Sequence, residues 1–177
     1  RGYDQVLHDV CIQNLSVIFA LDRAGLVGSD GETHQGIFDL SYLTSIPNMT
    51  VLAPKNLWEL QRDLEYAVSK HEGPITVRYP RGQAYRGLKE YDAPIVYGKG
   101  EILAEGREIA LLAVGSMVST AEHVRGKLLS EGYDCTLVNG RFIKPVDEEM
   151  VGQLAKTHKL IVTMEENVLQ GGYGLQV

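Results

Sequence analysis

Residues 108–165 read EIALLAVGSMVSTAEHVRGKLLSEGYDCTLVNGRFIKPVDEEMVGQLAKTHKLIVTME, and the order of apolar runs within them decides the fold. EIALLAV (108–114), CTLVN (135–139) and KLIVTME (159–165) read as strands. Between them the spacing predicts one helix from Ser116 or Thr120 to Leu129 and another from Asp147 to Thr157. Strand and helix alternating at this interval indicate right-handed βαβ units and a parallel sheet.

Upstream the texture changes. RGQAYRGLKEYDAPIVYGKG (81–100) mixes Gly, Pro, Tyr and charge without a sustained period, and reads as a linker over the surface. Before it lies a second α/β pattern. LSVIFAL (15–21) is apolar on both faces, as a strand inside a parallel sheet is. MTVLAP (49–54), closed by Pro54, and ITVRYP (75–80) are two further strands. Asn56 is placed to cap a helix carrying the stripe Leu57, Leu60, Leu64, Ala67 and Val68. DLSYLTSI (39–46) predicts a short helix, and Tyr3, Val6, Leu7, Val10 and Cys11 place another over residues 1–14. The fold class is therefore α/β, with two parallel-sheet units: residues 1–93, including a linker from about 82, and residues 94–177.

The 177 residues suffice for one ordinary domain or two small ones, with 44% hydrophobic and 23% charged residues, as in a globular chain. A net charge of −6 speaks against a general nucleic-acid or anionic-membrane surface, though not against a local basic pocket for a phosphate. No window approaches the roughly 20 apolar residues of a membrane span. Cys11 and Cys135 lie far apart in apolar patterns and read as buried thiols in a reducing compartment. The opening RGYDQV and the closing GGYGLQV both look cut, so a longer parent protein is expected.

The chemistry concentrates in DRAGLVGSDGETHQG (22–36), which follows a strand and sets Arg23, Asp30, Glu32 and His34 among four glycines. In open α/β sheets, ligands bind at the carboxyl ends of the strands. His34 is the one histidine of five in such a strand-exit loop. Its solvated alternative weighs evenly until Asp30 is counted, because a carboxylate can orient an imidazole and favour its protonated form. Such a pair moves protons near neutral pH. Asp30, Glu32 and His34 as metal ligands are the rival reading, disfavoured because no second cluster completes the set.

Arg23 and Arg81 each follow a strand, so a parallel sheet brings both to one edge, where two guanidinium forks can grip a phosphate or carboxylate. Singly, each would be a surface ion pair. Arg78, inside its strand, reads as a structural ion pair. Val114-Gly115-Ser116 is a weak candidate for a phosphate turn, lacking a full glycine fingerprint. Glu165-Glu166-Asn167, followed by GGYG, reads as a polar loop, with a pocket rim or subunit contact as the alternative.

Together YDQVLHDV (3–10), DRAGLVGSDGETHQGIFDLSYL (22–43), VRYPRG (77–82), GRFIKPVDEE (140–149), TMEEN (163–167) and GGYG (171–174) resemble the 1-deoxy-D-xylulose-5-phosphate synthase family. These are thiamine-diphosphate-dependent relatives of transketolase. The resemblance covers essentially the whole chain. It implies the later part of a pyrimidine-binding domain followed by most of a transketolase-type C-terminal domain, within a homodimer that is cytoplasmic in a bacterium or plastidic in a plant.

The family reaction joins pyruvate to D-glyceraldehyde 3-phosphate with loss of CO2, feeding isoprenoid, thiamine and pyridoxal pathways. By motif, His34 would handle the proton at the acceptor aldehyde with Asp30 beside it. Arg23 and Arg81 would clamp the acceptor phosphate, and Arg1 would lie near the aminopyrimidine and the bound pyruvate. The activating Glu and the Mg2+ and diphosphate ligands would lie outside this chain, so the chain alone is expected to bind thiamine diphosphate weakly and to make no product. The rival assignments are a transketolase, the β subunit of a 2-oxo-acid dehydrogenase, or a dimerisation module without activity. DRAGLVGSDGETHQG joined to VRYPRG separates the leading assignment from the two enzymes.

Overall fold

The first sheet grows from three short parallel strands, β1 (Ile18–Leu21), β2 (Thr50–Leu52) and β3 (Ile75–Arg78). The computed structural model describes residues 2–177, so the expectation for Arg1 falls outside the described residues. α1 (Gly2–Gln5) runs on as a π-helical turn, Val6–Cys11, and ends short of residue 14. α2 (Asp39–Ser45) and α3 (Leu57–Ser69) provide the crossovers. In the second half, β4 (Glu101–Ala104), β5 (Ile109–Ala113), β6 (Cys135–Asn139) and β8 (Leu160–Met164) make a second sheet in the order β4-β6-β5-β8. α4 (Met117–Ser130) and α5 (Glu148–Thr157) cross it, and α6 (Tyr173–Gln176) follows β8. β5 pairs in parallel with both β6 and β8, as the alternation predicts.

The two α/β units stand, and particular elements differ from expectation. The sheets are mixed, because β4 runs antiparallel to β6, and β7 (Phe142–Lys144) runs antiparallel to β2. β7 belongs to the second half of the chain and yet completes the first sheet, in the order β1-β3-β2-β7. β1 is not interior: among the described residues its strand partner is β3, and Ile18 and Ala20 are exposed. The linker is anchored rather than superficial, since Leu88 is buried in the core of the second half with Tyr91 against it. One apolar cluster is common to both halves, taking Leu40, Ile46 and Val51 from the first and Ala110, Leu112 and Ile143 from the second. Cys11 and Cys135 are buried, unpaired thiols, and burial pushes both upward.

α3 differs from expectation as well. Asn56 caps it as expected, its side chain accepting from the Glu59 N–H at 2.9 Å, and Leu60 and Leu64 pack on the first sheet. Val68, however, is 75% exposed. The fully buried face bears Glu59, Asp63 and Ala67, four residues apart, where the reading of the stripe placed apolar side chains alone.

The buried charges are paired across the two halves. Lys55 Nζ donates to Glu59 Oε1 at 3.0 Å and to Glu101 Oε2 at 2.8 Å. Arg141 bridges the same two carboxylates, through Nε to Glu59 at 2.8 Å and Nη2 to Glu101 at 3.0 Å. Asn139 donates to both Glu59 oxygens at 2.8 and 3.0 Å. Burial alone would push Glu59 up; Lys55 and Arg141 outweigh it and hold the carboxyl below its ordinary range.

Asp63, one turn further along α3, is fully buried and neither oxygen has a hydrogen-bond partner. Burial, reinforced by Glu59, pushes its carboxyl well above the ordinary range and so favours the neutral form. A raised folded pKa gives stability that is whole below the unfolded value of about 3.9 and drains as pH climbs through the folded one. Asp63→Asn removes the ionisation and nearly keeps the shape. Its melting temperature relative to the parent is therefore expected to rise between pH 4 and pH 8; a constant difference across that range contradicts a neutral buried Asp63.

Candidate active site at the carboxyl edge of the first sheet

β1 and β3 are adjacent, parallel and in register, with Leu21 opposite Arg78. Their exits therefore deliver the chain to the same edge, and Arg23 and Arg81 emerge side by side. Both guanidinium groups meet one carboxylate. Arg23 Nε donates to Asp30 Oδ2 at 2.7 Å, and Arg81 Nη1 pairs with Asp30 Oδ1. Arg81 also donates to Ser29 Oγ at 3.1 Å, and Arg23 Nη1 to Asp22 at 2.9 Å. Asp30 is thus an anion held between two cationic forks, at a place suited to a second anion.

The loop that carries Asp30 is closed at its base by two glycines. Gly25 N–H donates to the Gly36 carbonyl at 3.1 Å and Gly36 N–H to the Gly25 carbonyl at 2.9 Å. Gly36 leaves no room for a side chain: a Cβ there would fall on the Arg23 carbonyl and lie 2.6 Å from Asp39 Oδ2. Inside the loop Gln35 bonds both polar groups of Val27, at 2.6 and 2.8 Å, and the Gly31 carbonyl at 2.5 Å. His34 stands exposed at the tip, with Nδ1 2.8 Å from Thr33 Oγ1. Asp30 does not touch it. The predicted Asp30–His34 pair is replaced by an Asp30–arginine cluster, because two guanidinium groups offer the carboxylate stronger partners than an exposed imidazole.

Next to Arg81 a cleft of about 320 Å³ opens between the two halves, lined by Tyr79, Arg81, Tyr85, Asn56 and Ser116 among others. Ser116 heads α4, so the weak phosphate-turn candidate does face this cleft, with its hydroxyl bonded to Glu166. Arg78 makes the expected ion pair, to Asp39 at 3.2 Å. The residues 165–167 are more than a polar loop. Glu165 accepts from the N–H groups of Tyr173 and Gly174 at 2.7 and 2.9 Å, and Asn167 accepts from Leu40 N–H at 3.2 Å. Gln35 and Ser29 were missed as site residues, and Glu166 reads from the sequence first as part of a polar loop, with a pocket rim only as the alternative. Gly25, at φ +77° with Glu166 against it, was the available sign that a neighbour presses on the loop base.

Among the described residues no group of three His, Cys, Asp or Glu side chains is arranged to hold a metal ion, Asp30, Glu32 and His34 included. None of them is assigned to a metal-bound diphosphate. No helix is long and apolar enough to cross a membrane.

The pyrimidine-binding domain of transketolase matches residues 1–86, and the transketolase C-terminal domain matches residues 98–177. The chain belongs to the transketolase family. Within that family it is 60% identical over its whole length to a 1-deoxy-D-xylulose-5-phosphate synthase of Lachnoclostridium phytofermentans and 52% identical, over 98% of its length, to one of Clostridium acetobutylicum. It spans 28% of the length of each. A split-gene transketolase described as an inactive beta4 tetramer superposes with a TM-score of 0.90 at 28% identity, over 99% of this chain and 56% of that one. A Campylobacter jejuni transketolase shares the fold, at TM-score 0.64 and 22% identity over 84% of this chain and 27% of that one.

The loop base makes a direct prediction. Gly36→Ala forces its Cβ onto the Arg23 carbonyl, a backbone atom that cannot step aside, at a cost of about 1–3 kcal/mol. Faster proteolysis within residues 26–35 is expected, whereas Gly28→Ala, whose Cβ meets nothing within 4 Å, should leave the cutting rate unchanged.

Proposed function

We propose that this chain is the acceptor-binding part of a 1-deoxy-D-xylulose-5-phosphate synthase, with residues 1–93 and 94–177 as its two domains. The complete enzyme condenses pyruvate with D-glyceraldehyde 3-phosphate, releasing CO2, to give 1-deoxy-D-xylulose 5-phosphate. The names of relatives 60% and 52% identical favour this over a transketolase or a 2-oxo-acid dehydrogenase subunit. The observation that carries the reading is the convergence of Arg23 and Arg81 on one carboxylate at the edge where β1 and β3 end.

Two fixed forks suit a phosphate, which carries more charge than the carboxylate between them and accepts from both. Asp30 then acts as the resident anion that keeps the arginines ordered before the acceptor arrives. His34, on the exposed tip of the same loop, supplies a proton to the carbonyl oxygen of the acceptor as that oxygen gains charge. Thiamine diphosphate, held in the complete enzyme with Mg2+, supplies the carbanion stabilisation that the side chains of this chain lack. Exposed Tyr3, Ile12, Leu15 and Ile18 support self-association, as a homodimer.

The test is steady-state kinetics of the full-length enzyme. Arg23→Ala and Arg81→Ala should each raise KM for glyceraldehyde 3-phosphate, by the equivalent of about 1.5–3 kcal/mol, and leave KM for pyruvate nearly unchanged. Asp30→Asn should move the same acceptor KM, since its partners are the arginines. Equal effects on both substrates would remove the clamp assignment. His34→Ala is expected to slow product formation by about 10²–10⁴-fold while pyruvate still binds. Near-normal turnover would return His34 to a surface residue.

A further inference from the structure

Arg78 ends β3 and is 4% exposed, yet its side-chain hydrogen bonds run to the surroundings of the acceptor loop. A guanidinium so deeply buried must have its donors satisfied. Nε donates to Asp39 Oδ2 at 3.2 Å, while Nη2 donates to the Gly36 carbonyl at 2.5 Å and to the Glu166 carbonyl at 2.9 Å. The acceptors belong to the first turn of α2, the closing residue of the loop, and the segment leaving β8.

Glu166 completes the arrangement from the other side. Its carboxylate bonds Ser116 Oγ at the head of α4 and lies against Gly25, where a Cβ would come within 2.6 Å of its carboxyl carbon. Gly25 and Gly36 are the two residues that close the loop. The next residues reinforce the seam, as Val168 N–H donates to the Ile37 carbonyl at 2.9 Å. The loop base is therefore held between Arg78 beneath it and Glu166 of the second half beside it. The closed end sits directly against Arg23, whose carbonyl limits Gly36.

We infer that Arg78 and Glu166 are positioning residues for the acceptor site, through which the C-terminal half sets the placement of Arg23, Asp30 and His34. The inference rests on the proposed acceptor-binding role of that loop. Neither side chain hydrogen-bonds to the Arg23–Asp30–Arg81 cluster, so each acts through the Gly25–Gly36 closure. Lysine cannot replace Arg78, because one ammonium on a flexible stem does not reproduce a planar fork serving three acceptors.

The experiment varies pyruvate and glyceraldehyde 3-phosphate separately on the full-length enzyme carrying Arg78→Lys, Glu166→Ala or Glu166→Gln. Arg78→Lys and Glu166→Ala are expected to raise the acceptor KM by about 10–100-fold, since small displacements of binding groups are costly. The pyruvate KM should stay within about twofold. Glu166→Gln keeps a partner for Ser116 and should restore most of the acceptor KM. Asp147→Ala, which uncaps α5 and whose side-chain partners are Met150, Lys99 and Gly100 rather than loop residues, supplies a destabilised control whose acceptor KM should not move. An unchanged acceptor KM, or equal changes for both substrates, overturns the inference. If Arg78→Lys fails to fold, Glu166→Ala decides alone, its side chain being only partly buried. Should Arg23→Ala and Arg81→Ala leave the acceptor KM alone, the acceptor-site reading itself falls. Should they raise it while the Arg78 and Glu166 variants do not, only the positioning role falls.

Discussion

Four buried charges set the geometry of this chain. Lys55 lies between β2 and α3 and Glu59 in the first turn of α3, while Glu101 opens β4 and Arg141 follows β6, and each cation bridges both carboxylates. Such a set yields little net stability over an apolar core of equal volume, because desolvation offsets most of the attraction. Losing one member is another matter, costing about 3–5 kcal/mol through the charges left behind. The network therefore acts mainly as a register. It admits one placement of the second half against the carboxyl ends of the first sheet, and β7, laid along β2, repeats that placement in backbone hydrogen bonds.

The placement makes the candidate edge. With the halves so fixed, the head of α4 and the segment after β8 face the exits of β1 and β3, and the loop 22–36 is enclosed at its base while its tip is open. The arginines sort accordingly. Arg78 and Arg141 have side chains 4% and 2% exposed and serve structure, whereas Arg23 and Arg81, at 38% and 45%, remain accessible to an anion. Exposure is also why the ion pairs they make with Asp30 contribute little to stability and can be exchanged for a ligand.

Much of this was legible from local pattern. The alternation of strand and helix gave the parallel cores of both sheets, Asn56 announced its helix, and two arginines after adjacent parallel strands announced their meeting at one edge. Long-range pairing was not legible. β7 is three residues long between a glycine-arginine turn and a proline, and nothing in Phe142–Lys144 names β2 of the first half of the chain as its partner. The buried face of α3 was hidden because Glu59 and Asp63 look like solvated charges until Glu101, Asn139 and Arg141 arrive from far along the chain. The spacing of Lys55, Glu59 and Asp63, four apart, was the overlooked sign. Asp30 was misread in its partner because sequence proximity favoured His34, whereas the sheet edge brought in Arg81 from 51 residues away.

Amide hydrogen exchange on the Glu59→Ala variant beside the parent tests the central claim most directly. If the buried charges join the two halves into one cooperative body, protection in β3 and in β5 falls together, by the same free energy of about 3–5 kcal/mol. Loss confined to α3 and its immediate neighbours, with β5 and β6 as protected as before, would contradict the account.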